Sequence, residues 1–317
     1  MQRYKLISEH FSGSLKIEDD NLFFNGDHLK LIDDSIPNFI NDDLDHLTEQ
    51  MSEFYDKVQF PNYEDCEDYA SLYDKGINNL FTKRLDDELG FGKRILELGC
   101  GTGQLSLFLS RLNRQIFAVD ISNGSLSLGE KFRKKYKLDN TFFMKMDVFN
   151  LKFKNNTFDS IITNGVLHHT KDAEEGFRCL VKVLKPGGII VVGLYHKYGR
   201  FVTKIKQKMA KIIGSKIFYF DQTSRNIKSM DKRKAWVQDQ FMNPHETLHT
   251  PNQVLKWFDD NNIEFHNLTP YYSIHQNKLF KKNKKPSISI IDDLLLTLNP
   301  VQIKEGGFFV MVGRKRK

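Results

Sequence analysis

One stretch, Arg94 to Ser106 (RILELGCGTGQLS), constrains the fold of this chain more than any other. Its apolar residues Ile95, Leu96 and Leu98 predict a short buried strand of a parallel sheet. The glycines that follow predict a tight turn into a helix, because glycine lets the backbone turn sharply and approach a ligand closely. The first turn of such a helix presents unpaired N–H groups. The stretch therefore predicts a nucleotide site.

The glycine spacing narrows the class of nucleotide. Gly99, Gly101 and Gly103 follow Glu97 in the order E-x-G-x-G-x-G, whereas a dinucleotide fingerprint would need its third glycine at Gln104. The order resembles motif I of the class I S-adenosylmethionine-dependent methyltransferases. That resemblance implies an α/β fold with a doubly wound, seven-stranded, mostly parallel Rossmann-like sheet. It also implies S-adenosylmethionine as the cofactor.

Two acidic residues end the next two predicted strands. QIFAVD predicts a second strand that ends at Asp120, and NTFFMKMDVF predicts a third that reaches Asp147. A carboxylate in the first of these places can accept hydrogen bonds from both hydroxyls of a ribose, whatever the nucleotide. For Asp147 the role comes from the resemblance: family members use an acid there to contact the adenine amino group, and the next backbone N–H, here that of Val148, to contact a ring nitrogen.

The fourth and fifth predicted strands make the resemblance specific. FDSIITNGVLHH and LKPGGIIVVGLYH match the corresponding family motifs, so the resemblance covers about Arg94 to His196. It resembles most closely the branch with ubiquinone and menaquinone C-methyltransferases and many small-molecule O-methyltransferases. An Asn/Asp-Pro-Pro-aromatic tetrad, typical of nitrogen methylation of bases or amides, is replaced here by Asn-Gly-Val-Leu. The predicted cofactor-binding residues are Glu97, Gly99, Gly101, Gly103, Gln104, Asp120, Ile121, Asp147, Val148, Asn164 and Gly165.

Histidines are the candidates for proton transfer during methylation, since imidazole titrates near neutral pH. His169, just beyond the fourth strand, is the first candidate, followed by His168 and then His245. The last of these opens a literal HExxH pattern, which in zinc proteases lies on one face of a long helix. Here Pro244 precedes the pattern and a helix start at Thr250 follows it, so we expect a short turn that lines the cap side of the active site or caps the next helix.

The rest of the chain is predicted to surround this core in three parts. Residues 1–45 form a small β-rich module, similar in cadence to the zinc-ribbon-like modules of some methyltransferases but without cysteine. Residues 46–317 form the methyltransferase domain, with its core at about 70–196, a helical cap inserted at about 197–250, and a C-terminal helix and strands at 251–317. Single helices are expected at Tyr69–Leu89 and Ser289–Leu298, and a turn at Lys185–Gly188.

Composition limits the remaining interpretations. The three cysteines form no CxxC pair, so no metal site is predicted, and no apolar run is long enough to span a bilayer. We expect a cytoplasmic enzyme acting on a small-molecule or lipid-like acceptor by O- or C-methylation. A net charge of +7 leaves RNA as an alternative acceptor. A non-catalytic cofactor-binding module that regulates a partner is the second alternative; the sequence leaves the oligomeric state undetermined.

Overall fold

The computed structural model describes residues 2–19, 21–40, 44–58, 63, 66, 68–214, 229–272, 278–289, 292 and 307–317. Its strands are β1 (Leu15–Glu18), β2 (Asn21–Phe24), β3 (Asp27–His28), β4 (Leu31–Ile32), β5 (Ile36–Pro37), β6 (Arg94–Leu98), β7 (Gln115–Asp120), β8 (Thr141–Lys145), β9 (Phe158–Asn164), β10 (Leu184–Tyr195), β11 (Ile263–Thr269) and β12 (Phe308–Lys315). Its α-helices are α1 (His46–Lys57), α2 (Tyr69–Asn78), α3 (Leu80–Glu88), α4 (Gln104–Leu109), α5 (Asn123–Tyr136), α6 (Ala173–Val183), α7 (Phe201–Ile213), α8 (Met230–Met242) and α9 (Pro251–Asp260).

The central sheet has seven strands in the order β11-β12-β10-β9-β6-β7-β8. Strands β8, β7, β6, β9 and β10 run parallel, while β12 is antiparallel to both of its neighbours, β10 and β11. The chain order reverses between the adjacent strands β6 and β9, and in doubly wound sheets ligands bind in the crevice beside such a switch point. The fold class predicted from the sequence is confirmed.

Both faces of the sheet are covered by helices, which is why its strands are apolar almost throughout. On β6, Ile95 packs into one buried cluster with α3 and α4, while Leu96 belongs to the other cluster, with α6 and α9. The two clusters follow the alternation of side chains along a strand. The loops at the carboxyl ends of the strands are thereby held by rigid elements on either side.

The N-terminal module covers the edge strand β8. Strands β1, β2 and β3 form a three-stranded antiparallel sheet, and β4 pairs with β5. Asn38 forms a parallel bridge with Lys145 of β8, and the Phe39 N–H donates to the Lys145 carbonyl at 2.9 Å. Phe11 stacks on Phe39 within the module and also packs on the Phe153 ring, which joins the module to the main core. The likeness to a zinc-ribbon module is not supported: among the described residues no group of three or more potential ligands gathers, and aromatic packing holds the module instead.

Two local predictions need correction, and one falls outside the described residues. The helix expected at Tyr69–Leu89 is divided into α2 and α3 at Asn79, whose side chain accepts a hydrogen bond from the Thr82 N–H at 3.0 Å and so caps the second helix. The turn expected at Lys185–Gly188 lies inside β10, where the register with β9 shifts. Most of the helix expected at Ser289–Leu298 lies outside the described residues. In the described part of the chain, no helix has the length and apolarity to cross a membrane.

Candidate functional site

A cavity of about 950 Å³ opens at the carboxyl edge of the sheet, beside the switch point between β6 and β9. Its volume is at the upper end of the range for small-molecule sites. The loops after β6, β7, β8 and β9 all contribute to its wall. Ten of the eleven predicted cofactor-binding residues line it: Glu97, Gly99, Gly101, Gln104, Asp120, Ile121, Asp147, Val148, Asn164 and Gly165.

The glycine loop has a conformation that side chains disfavour. Gly99, Gly101 and Gly103 have φ values of 69°, 53° and 76°, in the left-handed region. A β-carbon on Gly99 would overlap the side chain of Val166, and one on Gly103 would overlap the ring of Phe143. Gly103 does not line the cavity, so its glycine serves the packing of the loop against β8 and α5.

Three carboxyl groups reach the cavity from the ends of neighbouring strands. One Asp120 oxygen accepts from the Gly101 N–H at 2.7 Å, and the other accepts from the Ser122 N–H at 2.9 Å. Burial raises the pKa of Asp120 and of Asp147, despite the backbone hydrogen bonds that oppose it. Burial also raises the pKa of Glu97 to about 8, although the Ser106 hydroxyl donates to this carboxyl. These are desolvated acids that face a cavity.

His169 lines the same cavity, and a hydrogen bond fixes the orientation of its ring. Its Nδ1 is 2.7 Å from the His245 carbonyl oxygen, which can only accept, so Nδ1 carries the proton. Burial lowers the pKa of His169 and keeps the ring neutral. A neutral ring with its proton on Nδ1 has a lone pair on Nε2. His169 is therefore the one of the three candidate histidines that both lines the cavity and is set up to accept a proton.

The other two predicted histidines do not line the cavity. His168 is fully buried against the Tyr195 ring, with centroids 4.1 Å apart, and neither of its ring nitrogens has a hydrogen-bond partner among the described residues. Burial lowers its pKa well below the usual value. His245 contributes its backbone carbonyl to His169, while its buried Nε2 has no hydrogen-bond partner in the part of the chain that the structure describes.

The HExxH pattern is not on a helix. Glu246 forms ion pairs with the buried Arg200 and with Lys204, which hold its pKa below the usual value despite burial. The Nε2 of His249 lies 2.9 Å from the Thr247 hydroxyl. None of the three pattern residues lines the cavity, contrary to the expectation that they line the cap side of the site. The expected helix cap is present: Thr250 accepts from the Gln253 N–H at 3.3 Å at the start of α9, with Pro251 in the first turn.

The sequence motifs missed several polar residues of the cavity wall, and four of them form two hydrogen-bonded pairs. Tyr55 of α1 donates to an Asp239 carboxylate oxygen at 3.1 Å, and Gln240 of α8 donates to the Tyr195 hydroxyl at 2.9 Å. Tyr55 also packs its ring edge against His169. Tyr195 ends β10 and could have been found from its strand-end position. The other three come from covering helices, and no motif marks them.

Helix α1 is held over the loop after β7. Ser52 donates to the Ile121 carbonyl at 2.8 Å. Asp56 accepts from the Ser122 hydroxyl at 2.8 Å and from the Gly124 N–H at 3.0 Å, at the start of α5. Thr48, Met51 and Tyr55 of the same helix line the cavity. This helix therefore forms part of the cover of the site next to Asp120.

Comparison with known proteins agrees with the geometry. Residues 96–192 match the methyltransferase domain family. An uncharacterized protein, syc1184_c, of Synechococcus sp. is 25% identical over 257 residues, covering 70% of this chain and 60% of that protein. The ubiquinone/menaquinone biosynthesis C-methyltransferase UbiE of Vibrio cholerae is 30% identical over 159 residues, covering 45% of this chain and 61% of that protein. The chain thus spans about 60% of the length of these curated relatives.

One solved structure extends the likeness to the fold. A Haemonchus contortus phosphoethanolamine N-methyltransferase 2, in complex with phosphomonomethylethanolamine and S-adenosylhomocysteine, superposes with a TM-score of 0.52. It is 15% identical, and the match covers 84% of this chain and 60% of that one. Similarity at this identity supports the fold of the sheet and its helices.

The packing of Gly103 against the Phe143 ring can be tested by substitution. Gly103→Ala should destabilise the protein by about 1–3 kcal/mol more than Gly92→Ala, because both place a side chain at a positive φ but only the first overlaps Phe143. Urea unfolding of the two variants measures the difference. Equal free energies of unfolding would contradict the packing role of Gly103.

Proposed function

We propose that this chain, which carries a class I S-adenosylmethionine-dependent methyltransferase domain, transfers the methyl group of S-adenosylmethionine to a small-molecule or lipid-like acceptor. The observation that carries the proposal is the position of His169: its neutral ring faces the same cavity as the glycine loop and Asn164–Gly165. The relatives' names favour an acceptor of this class, since UbiE is named a C-methyltransferase of quinone biosynthesis.

The residues of the cavity fit this cofactor chemically. Asp120 is proposed to accept hydrogen bonds from the ribose hydroxyls, and Asp147 and the Val148 N–H to hold the adenine. The buried acid Glu97 suits a cationic part of the cofactor, because a nearby positive charge favours its carboxylate form. Gly99 and Gly101 keep the cavity wall free of side chains beside them. Asn164–Gly165 is proposed to hold the methionine portion.

The remaining cavity wall is suited to an apolar acceptor with one polar end. Much of it is apolar, including the side chains of Met51, Leu80, Phe81, Phe149, Pro270, Tyr272, Phe308 and Val310. Polar groups gather where Tyr55, Tyr195, Asp239 and Gln240 meet around His169. An acceptor can bury an apolar body along the first group and present its nucleophilic atom to the second.

The mechanism requires alignment of the acceptor and removal of one proton. When bound, S-adenosylmethionine supplies a methyl group that its sulfonium makes electrophilic. His169 Nε2 takes the proton from an acceptor O–H or acidic C–H, and the His245 carbonyl holds the ring in the competent tautomer. Helices α1 and α8 cover the cavity and limit water at the acceptor. Tyr55, hydrogen-bonded to Asp239 and packed on the His169 ring, restricts how the base can turn.

The experiment that tests the acceptor class uses methyl-labelled S-adenosylmethionine, purified protein and a matched cell extract, with products separated into lipid, small-molecule, RNA and protein fractions. We expect label in the lipid or small-molecule fraction. Label in RNA would replace the proposed acceptor class. Cofactor binding without label in any fraction would favour a regulatory module.

The assignment of Asp120 predicts the effect of one substitution on cofactor binding. Asp120→Ala should weaken binding of S-adenosylmethionine by about 1.5–3 kcal/mol, roughly ten- to a hundredfold in Kd, since hydrogen bonds to a charged group are lost. Calorimetric titration measures Kd, and circular dichroism checks folding. Asp159→Ala is the matched control. Asp159 lies at the amino end of β9, whereas the cavity lies at the carboxyl ends of the strands, and it accepts a hydrogen bond from the Arg94 N–H at 2.9 Å. An unchanged Kd in folded Asp120→Ala would overturn the assignment.

The raised pKa of Glu97 predicts a pH dependence of the same equilibrium. Because the pKa of Glu97 is about 8, its carboxyl group is protonated at lower pH and must lose that proton before it can pair with a cation. The Kd for S-adenosylmethionine should therefore fall as pH rises from about 6 to 8, by up to about tenfold per unit. Glu97→Gln should make the Kd nearly independent of pH over this range. The same slope in wild type and Glu97→Gln would exclude Glu97 as its source.

Substituting His169 and His168 one at a time tests which of the two histidines is the base. His169→Gln should lower the rate of label transfer by about 10²–10⁴-fold with little change in cofactor Kd. His168→Phe should retain most of the rate, because the His168 ring packs on Tyr195 and neither ring nitrogen forms a hydrogen bond to any residue that the structure describes. The wild-type rate should fall as pH drops through the lowered pKa of His169. Equal losses in both variants, or a rate independent of pH below 6.5, would contradict the assignment of the base.

A further inference from the structure

Helix α7 exposes an apolar stripe on the surface of the protein. Phe201 is 69% exposed and Ile212 is 83% exposed, with Ile205 and Met209 at 46% and 42% between them. Their spacing of four, four and three residues places all four within an arc of about 80° around the helix axis. Large apolar side chains that are exposed together in this way mark a surface for interaction.

The opposite face of α7 is attached to the protein. Ala210 is buried in a cluster with Val237 and Phe241 of α8. Gln207 donates to the Gln240 carbonyl at 3.0 Å. Because these contacts hold one face of the helix against α8, the exposed stripe is directed away from the protein.

Lysines border the stripe. Helical spacing places Lys204, Lys208 and Lys211 along one border and Lys206 along the other. Lys204 also pairs with Glu246 at 3.1 Å, whereas Lys208 and Lys211 are exposed. The 13 residues of α7 include no acidic side chain. An apolar face between cationic borders is the arrangement of helices that lie in the interface of an anionic bilayer.

We propose that α7 docks on the surface of an anionic lipid bilayer, with Phe201, Ile205, Met209 and Ile212 inserted among the acyl chains and the exposed Lys208 and Lys211 at the headgroups. Charge distinguishes this partner from a second copy of the chain, because a symmetric contact through α7 would bring lysines together. The inference depends on the surface of the cap and not on which acceptor is methylated.

The docked helix would lie beside the wall of the cavity. Gln207 of α7 contacts Gln240 of α8, and Asp239 and Gln240 line the cavity on the other side of α8. A bilayer bound to the outer face of α7 would therefore be separated from the cavity by two helices, α7 itself and α8. This placement would bring the site close to a lipid-dissolved acceptor.

Vesicle binding tests the proposal without any measurement of activity. The protein of 317 residues is sedimented with phosphatidylcholine vesicles, with or without phosphatidylglycerol as about a quarter of the lipid. We expect binding to the anionic vesicles that weakens as salt rises. Phe201→Ser with Ile212→Ser should weaken it by at least about tenfold, because two inserted apolar side chains are lost. Lys208→Gln with Lys211→Gln should weaken it roughly twenty-five-fold, at about fivefold for each charge near the surface.

Control variants elsewhere on the surface test whether the loss of vesicle binding is specific to α7. The alternative is that removing any exposed apolar or charged side chains weakens binding. Leu6→Ser with Phe91→Ser removes two apolar side chains of similar exposure, and Lys83→Gln with Lys131→Gln removes two exposed charges elsewhere. Neither pair should change vesicle binding. Three results would overturn the proposal: no binding by wild type, equal weakening by the control pairs, or self-association in sedimentation velocity that the α7 variants abolish. Such self-association would show that a second copy of the chain binds the stripe. If the protein neither binds lipid nor self-associates, we would conclude that another part of the chain covers the stripe.

Discussion

The bond between the Asp120 carboxylate and the Gly101 N–H holds the site together. It joins the end of β7 to the loop after β6, and the same carboxylate accepts from the Ser122 N–H at the start of the next loop. The Gly99 N–H adds a bond to the Val119 carbonyl at 2.8 Å. These bonds hold the left-handed glycine backbone open toward the cavity.

The electrostatics of the site follow from burial. Glu97, Asp120 and Asp147 each have a pKa raised by removal from water, and each faces the cavity. A buried carboxyl group is destabilised as an anion unless a donor or a cation approaches it. A ligand with hydroxyl donors and a positive charge satisfies these groups. The protein thus concentrates acids in the cavity that we propose for S-adenosylmethionine, and keeps a neutral imidazole in the same cavity.

The parts predictable from sequence are those that depend on neighbouring residues. The strand, glycine turn and helix of residues 94–109, and the acids at the ends of the next two strands, follow from local spacing. The break at Asn79 was not predicted because the apolar periodicity of α2 continues into α3, and only the capping bond of Asn79 separates them. A carbonyl 76 residues away in sequence, at His245, decides which His169 nitrogen is free, and no local pattern reports it. Tyr55 and Asp239 meet across 184 residues for the same reason.

A crystal structure with S-adenosylhomocysteine would test the central claim most directly. The account predicts the ribose within hydrogen-bond distance of Asp120, the adenine beside Asp147 and Val148, and the sulfur on the side of the cavity that holds Asn164 and His169. A ligand bound elsewhere, or in this cavity with its sulfur away from His169, would contradict the account of both cofactor binding and proton transfer.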